Sequence, residues 1–241
     1  MKSLSLASIA VAVAALSAVA VPSITLAADS SVAFNAGVVT DYRYRGISQS
    51  RLQPALQGGV DFTAGAFYLG AWGSTIKWIK DAPYNGGANI EIDLYGGYKG
   101  EITKGVGYDV GLLSYQYPSN RLSPSANTFE IYGAITTGPV TAKYSRSTTN
   151  LFGAPNSKGS GYLDISATFD VGGFAVTPHI GRQTVKNNGT YSYTDYSLAI
   201  SKEISGITWS ATLVDTNTSA YTGAGKDLGK AGIVLGAKMA F

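Results

Sequence analysis

Ile207-Thr208-Trp209-Ser210-Ala211-Thr212-Leu213 alternates an apolar side chain with a small polar one. Period two belongs to a pleated strand, whose successive side chains point to opposite faces. The same alternation recurs along the chain. Val32, Phe34, Ala36 and Val38 show it, as do Ile90, Ile92 and Leu94 against Glu91, Asp93 and Tyr95. Phe129, Ile131 and Ile135 alternate with Glu130, Tyr132 and Thr136, and Leu163, Ile165, Ala167 and Phe169 with Asp164, Ser166 and Thr168. Ile233, Leu235, Ala237, Met239 and Phe241 close the chain. No helical stripe persists after residue 30.

The connections between these stretches are of two alternating kinds. Short turns fall near Ala64-Gly65, Gly100-Gly105, Gly138-Pro139, Gly172-Gly173 and Lys202-Gly206, and longer polar loops near 45–54, 79–88, 118–126, 150–159, 184–191 and 216–229. Short turns at one end and long loops at the other are the pattern of an outer-membrane barrel. The expected fold is therefore all-β: a transmembrane antiparallel up-and-down β-barrel of about twelve strands, with short periplasmic turns and longer extracellular loops. In lipid every backbone N–H and C=O needs a partner, which restricts spanning structures to helices and closed barrels. The competing reading is a soluble β-sandwich or lipocalin-like barrel, which hides its apolar face inside.

Composition narrows the class. Of 241 residues only 14% are charged, there are 30 glycines and 16 tyrosines, and cysteine is absent. Disordered chains are poorer in aromatics and richer in charge. Without cysteine there is no disulfide framework or Cys-based zinc site. A formal charge of +3, scattered along the chain, gives no footprint for nucleic acid. Met1-Lys2 followed by the apolar run Leu4–Val21, Pro22 and the small-residue site Thr25-Leu26-Ala27 reads as a cleaved signal peptide, with a retained anchor as the alternative. The expected domains are thus a signal peptide, 1–27, and the barrel, 28–241, exported to the bacterial outer membrane.

Two girdles of aromatic rings are expected at the membrane interfaces. Phe34, Phe62, Phe67, Phe169, Phe174 and Phe241 fall near the turn ends of strands, and Tyr42, Tyr44, Trp78, Tyr115, Tyr117, Tyr144, Tyr162 and Tyr193 near the loop ends. The C-terminal Gly236, Met239 and Phe241 are spaced as in a terminal strand read by barrel insertion machinery, though Val234 stands where a polar residue is usual.

With the apolar parity facing lipid, the opposite parity lines a lumen. The expected pore-lining residues are Asp61, Glu91, Asp93, Asp109, Glu130, Lys143, Asp164 and Asp195, with Lys99, Lys238 and His179 also inward. Glu91, Asp93, Asp109 and Glu130 are the candidate constriction, because rings of carboxylates select cations. Asp41, Arg43 and Arg45 are the candidate pore mouth, the arginines pairing with Asp41 or Asp93 or forming a structural network in the first hairpin. The facing of the third strand is open, since Phe67-Leu69-Ala71 and Tyr68-Trp72-Ile76 both suit lipid. Arg146 and Arg182 fall on the outward parity, where they meet lipopolysaccharide phosphates or act as snorkelling rim charges.

Asp41-Tyr42-Arg43-Tyr44-Arg45-Gly46-Ile47-Ser48-Gln49 resembles the hallmark of the Gcw-chp family, the TorF-like porins. Pro54-Ala55-Leu56-Gln57-Gly58-Gly59, Phe67-Tyr68-Leu69-Gly70-Ala71-Trp72-Gly73-Ser74 and Glu91-Ile92-Asp93-Leu94-Tyr95-Gly96-Gly97-Tyr98 follow at similar spacing, as do Tyr108-Asp109-Val110-Gly111 and Tyr115-Gln116-Tyr117-Pro118. The resemblance spans the chain after the signal segment, strongest over 37–118. It implies a proteobacterial outer-membrane barrel with a porin role and names no solute.

The leading expectation is a porin-like channel for passive or gated diffusion of small polar or cationic solutes through an acidic lumen. Second is a structural or adhesive barrel with a closed lumen and functional surface loops. A distant third is an outer-membrane hydrolase. A serine hydrolase needs a base beside its nucleophile. His179 is the lone histidine, with Ser166 and Ser197 the serines on neighbouring strands, so no catalytic residue is assigned and the protein is expected not to be an enzyme. No metal and no cofactor are expected. The expected partners are outer-membrane lipid, lipopolysaccharide, small solutes and the insertion machinery.

Overall fold

A computed structural model describes residues 24–27, 30–81 and 83–241. Among them, twelve antiparallel strands close into a barrel. They are β1 (Ser30–Val39), β2 (Ala55–Ala64), β3 (Phe67–Thr75), β4 (Ile90–Thr103), β5 (Val106–Gln116) and β6 (Thr128–Thr137). There follow β7 (Val140–Ser147), β8 (Gly161–Ala167, continued by Phe169–Val171), β9 (Phe174–Thr184), β10 (Tyr193–Ile204), β11 (Ile207–Thr216) and β12 (Gly232–Ala240). Each strand pairs with its neighbours in sequence, and β12 closes the ring on β1 through Gly236↔Val39 to Ala240↔Asn35. Closure removes the open sheet edges. The expected signal segment lies outside the described residues except for Ile24–Ala27, whose backbone pairs with Ser30–Val32. Among the described residues no helix is long and apolar enough to cross a membrane.

Five two-residue turns join strands at one end. Gly172-Gly173 and Ser205-Gly206 both have φ positive at both residues, 62° and 79°, and 54° and 78°. This is the primed turn whose twist matches that of the flanking strands. At the other end lie six loops, 40–54, 76–89, 117–127, 148–160, 185–192 and 217–231. The expected asymmetry of short turns and long loops is present.

The period-two reading sorts the two faces. Leu56, Leu69, Leu94, Leu112, Leu213 and Leu235 are each at least half exposed and point outward. Glu91, Glu130, Asp164 and Asp195 are buried, at 1–2% exposure, and point inward. The barrel therefore has an apolar exterior and a polar interior, the reverse of a soluble protein. The third strand is settled: Phe67, Leu69 and Ala71 face out, while Tyr68 and Trp72 face the lumen.

The turn-end girdle is present, with Phe34, Phe67, Phe169, Phe174 and Phe241 exposed. The loop-end girdle is corrected. Of its eight members only Tyr144 is exposed; Tyr42, Trp78, Tyr115, Tyr117, Tyr162 and Tyr193 are buried, and Tyr44 packs against them. An interfacial belt and a filled lumen both use rings with a polar tip, so composition at strand ends does not distinguish them. Tyr42, Tyr44, Trp78, Tyr115 and Tyr117 form a core inside the loop end, where Phe152 meets Tyr44 at 5.6 Å and Tyr115 at 5.2 Å between centroids, and Tyr193 packs separately with Ile47 and Leu228.

Candidate functional site: a hairpin seated in the lumen

Loop 40–54 does not stand above the barrel. It turns inward as a small hairpin, Arg43-Tyr44 paired with Ile47-Ser48, with Arg45-Gly46 at its tip. Both tip residues have positive φ, 48° and 80°, again a primed two-residue turn. For arginine that conformation costs about 1–2 kcal/mol, so the contacts of its side chain must offset it. Glycine is required at 46: a Cβ there would stand 2.6 Å from Thr216 Cγ2 and 2.8 Å from Asp195 Cβ.

The Arg45 guanidinium reaches across the lumen. It donates to both oxygens of Glu130, Nη2 to Oε2 at 2.7 Å and Nη1 to Oε1 at 3.1 Å, and Nη1 also donates to Gln183 Oε1 at 2.7 Å. Its carbon lies 4.8 Å from the centre of the Tyr44 ring and 4.2 Å from that of Tyr162. Burial opposes the charge most strongly, but Glu130 together with Tyr44 and Tyr115 offsets it and holds the guanidinium's proton affinity well above its ordinary value. Such bidentate charged bonds are the strong kind. Of the two expected partners, Asp41 pairs with Arg43, while Arg45 takes Glu130 in place of Asp93, because the hairpin tip lies against β6, β9 and β10.

Arg43 has a different duty. It binds Asp41 at 2.5 Å and the carbonyls of Gly46, Leu228 and Lys230. Asp41 also accepts from Ser48 Oγ at 2.5 Å and Ser50 Oγ at 3.0 Å. The two expected arginines thus divide: Arg43 builds the loop, and Arg45 joins it to the wall. Tyr42 donates to Glu91 Oε1 at 2.8 Å. Burial, then the Glu91 and Asp93 charges, push its phenol well above the ordinary value, so it remains a donor. Other loops hold the hairpin's shoulders. Ser48 N donates to Leu228 O, Lys77 N donates to Gln49 O, and Arg51 pairs with Asp81.

Beneath the hairpin the lumen is lined by tyrosines and carboxylates. Tyr68 donates to Asp109 at 2.6 Å and meets the Tyr132 hydroxyl, while Tyr95 donates to Asp61 at 2.5 Å. Lys143 Nζ sits 3.9 Å from the Tyr132 ring centre. His179 Nε2 lies 2.8 Å from Asp164 Oδ2, and its Nδ1 lies 3.7 Å from Asp195 Oδ1. All eight expected lining residues face inward, at two levels. Glu91, Asp93 and Glu130 surround the hairpin. Asp109 stands lower on the wall, opposite Lys99 in register, whereas Asp93 stands opposite Tyr115. The four candidate constriction residues are therefore not one ring. Glu91 Oε2, Asp93 Oδ1 and Asp164 Oδ1 are buried with no hydrogen-bond partner among the described residues.

Sequence reading missed Gln183, Tyr162 and Tyr115 as site residues. Tyr162 and Tyr193 share parity with Asp164 and Asp195, and this parity was the available signal. Ser166 stands opposite His179 in register but makes no hydrogen bond to it, so nucleophile and base are not coupled here. Among the described residues no cluster of three or more metal-ligating side chains occurs. Arg146 and Arg182 point outward near the loop end, Arg146 beside Lys158 and Lys186.

A family model described as "Bacterial protein of unknown function (Gcw_chp)" matches residues 25–241. No curated protein matches the chain. Among solved structures, the NanC porin aligns over 88% of this chain and 99% of its own, at 11% identity and a TM-score of 0.54. LpxR from Salmonella typhimurium aligns over 87% and 99%, at 12% identity and a TM-score of 0.43. OccD3 from Pseudomonas aeruginosa aligns over 89% and 65%, at 10% identity and a TM-score of 0.42. The first of these shows the barrel fold.

Proposed function

The chain belongs to the Gcw_chp family, and from that premise we propose that it is a porin-like outer-membrane channel whose lumen is gated by the 43–48 hairpin and favours small polar or cationic solutes. The observation that carries this reading is a polar, carboxylate-lined interior under an apolar exterior, with one loop hairpin seated in it. An apolar belt of outward leucines, isoleucines and phenylalanines suits lipid, and the interior then is the polar path. Twelve strands lie between the packed eight-stranded size and the open sixteen-stranded one. Such a barrel is wide enough to admit a solute and narrow enough for one hairpin to stop. Carboxylates at two depths, several with an oxygen lacking a protein partner, favour cations.

A second reading, a closed barrel acting through its surface loops, is favoured by the burial of the loop-end core. Reversal potentials in planar bilayers under a potassium chloride gradient distinguish the two. The channel reading expects cation preference, weakened by Asp61→Asn with Asp109→Asn. Silence from a folded, heat-modifiable barrel and from its hairpin variants supports the closed barrel instead.

A further inference from the structure

We propose that the seat of Arg45 is a binding site for guanidinium-bearing solutes, filled in this structure by the protein's own hairpin tip. This rests on the channel reading and names its solute class. The seat is shaped for a planar cation. Glu130 accepts two near-parallel bonds, Gln183 accepts a third, and aromatic rings cover the guanidinium. Tyr44 belongs to the hairpin, but Glu130, Tyr162 and Gln183 stand on β6, β8 and β9 and stay in the wall if the hairpin withdraws.

Those wall residues are held in place by other partners. Gln183 Nε2 donates to Gly161 O at 3.0 Å, which fixes its Oε1 toward the lumen. Tyr115 donates to Glu130 Oε2 at 3.2 Å, and the Tyr162 hydroxyl donates to Asp195 at 3.1 Å. Groups already fixed in the binding geometry lose little freedom on binding. A carboxylate as buried as Glu130 is costly to leave without a counter-charge. Withdrawal of Arg45 therefore leaves a wall that demands another cation. The fork geometry selects guanidinium over ammonium, which cannot form two parallel bonds to one carboxylate. The Tyr162 face adds attraction for either. A solute guanidinium entering this seat replaces Arg45 and so displaces the hairpin.

The test is a thermal-melt titration of the refolded full chain carrying Arg45→Ala, with methylguanidinium chloride against methylammonium chloride at equal ionic strength. The expected result is a rise in Tm that grows with the logarithm of concentration and reaches about 3–6 °C when methylguanidinium stands about tenfold above its Kd. Methylammonium is expected to act only at higher concentration. The double variant Arg45→Ala with Glu130→Gln should lose the rise, and the unmodified protein, where the solute must compete with Arg45, should respond only at much higher concentration. No rise in Arg45→Ala beyond that given by methylammonium, or a rise indifferent to Glu130→Gln, overturns the proposal. Should Arg45→Ala not refold alone, recovery of a heat-modifiable barrel on refolding with methylguanidinium is the same test, and no recovery overturns it. The melt does not depend on conduction. Binding without conductance upholds the seat and sinks the channel reading; conductance without binding does the reverse.

Discussion

Gly97 shows how the lumen accommodates its tyrosines. A Cβ at this position would stand 2.5 Å from the Val110 carbonyl oxygen and 2.5 Å from the Tyr68 hydroxyl. The same relation joins Gly70 to Tyr95 and Gly111 to Tyr132, each glycine leaving room for a ring on the next strand. The rings lie against the wall and present their hydroxyls to Asp61 and Asp109. Because one of the contacts at Gly97 is backbone, a small addition cannot be absorbed by a side-chain shift. Gly97→Ala is expected to destabilise the barrel by about 1–3 kcal/mol, as overpacking does, read as a lower urea midpoint; an unchanged midpoint would contradict this account. Inward carboxylates such as Glu91 and Asp164 are legible from parity, since a strand with one apolar face must turn the other to the lumen. Which tyrosine covers which glycine is not, because it depends on register between strands.

At the scale of the element, the stretch most characteristic of the sequence, residues 41–49, becomes the hairpin seated in the lumen. Its turn residues, Arg45 and Gly46, carry the positive φ values that a two-residue hairpin needs. Its inward direction was not legible, because an extracellular loop and a lumen-filling loop have the same polar composition. The buried loop-end tyrosines follow from it: once the hairpin enters the barrel, rings expected at the lipid interface become its walls. Gly46→Val adds bulk where only hydrogen fits, against Thr216 and Asp195. The tip is expected to lift, exposing Arg43 and Arg45. Trypsin should then cleave the folded variant after one of these residues while leaving the unmodified hairpin intact. Equal resistance of both proteins would show that the tip tolerates the change and is not tightly seated.

At the scale of the molecule, sorting apolar side chains outward and carboxylates inward separates a membrane barrel from a soluble one. Leu112 lies within β5 on the outer face and is 50% exposed. In water, replacing such a leucine with arginine changes stability by less than about 0.5 kcal/mol. On the lipid face of a barrel it costs about 2–4 kcal/mol near mid-bilayer. Leu112→Arg, refolded into lipid vesicles and titrated with urea, is expected to show the larger loss; a neutral result would place this face in water. Barrel class, strand number and the alternation of turns and loops were legible in the sequence because period and turn chemistry are local. The state of the lumen was not, because it depends on where six loops fold together.

The most direct test of the hairpin as gate is single-channel recording from two refolded proteins, the unmodified chain and one with residues 43–48 replaced by glycine and serine. The account predicts rare or small openings from the first and sustained, cation-preferring steps from the second. Equal silence from two correctly folded barrels, or equal conductance from both, would contradict it.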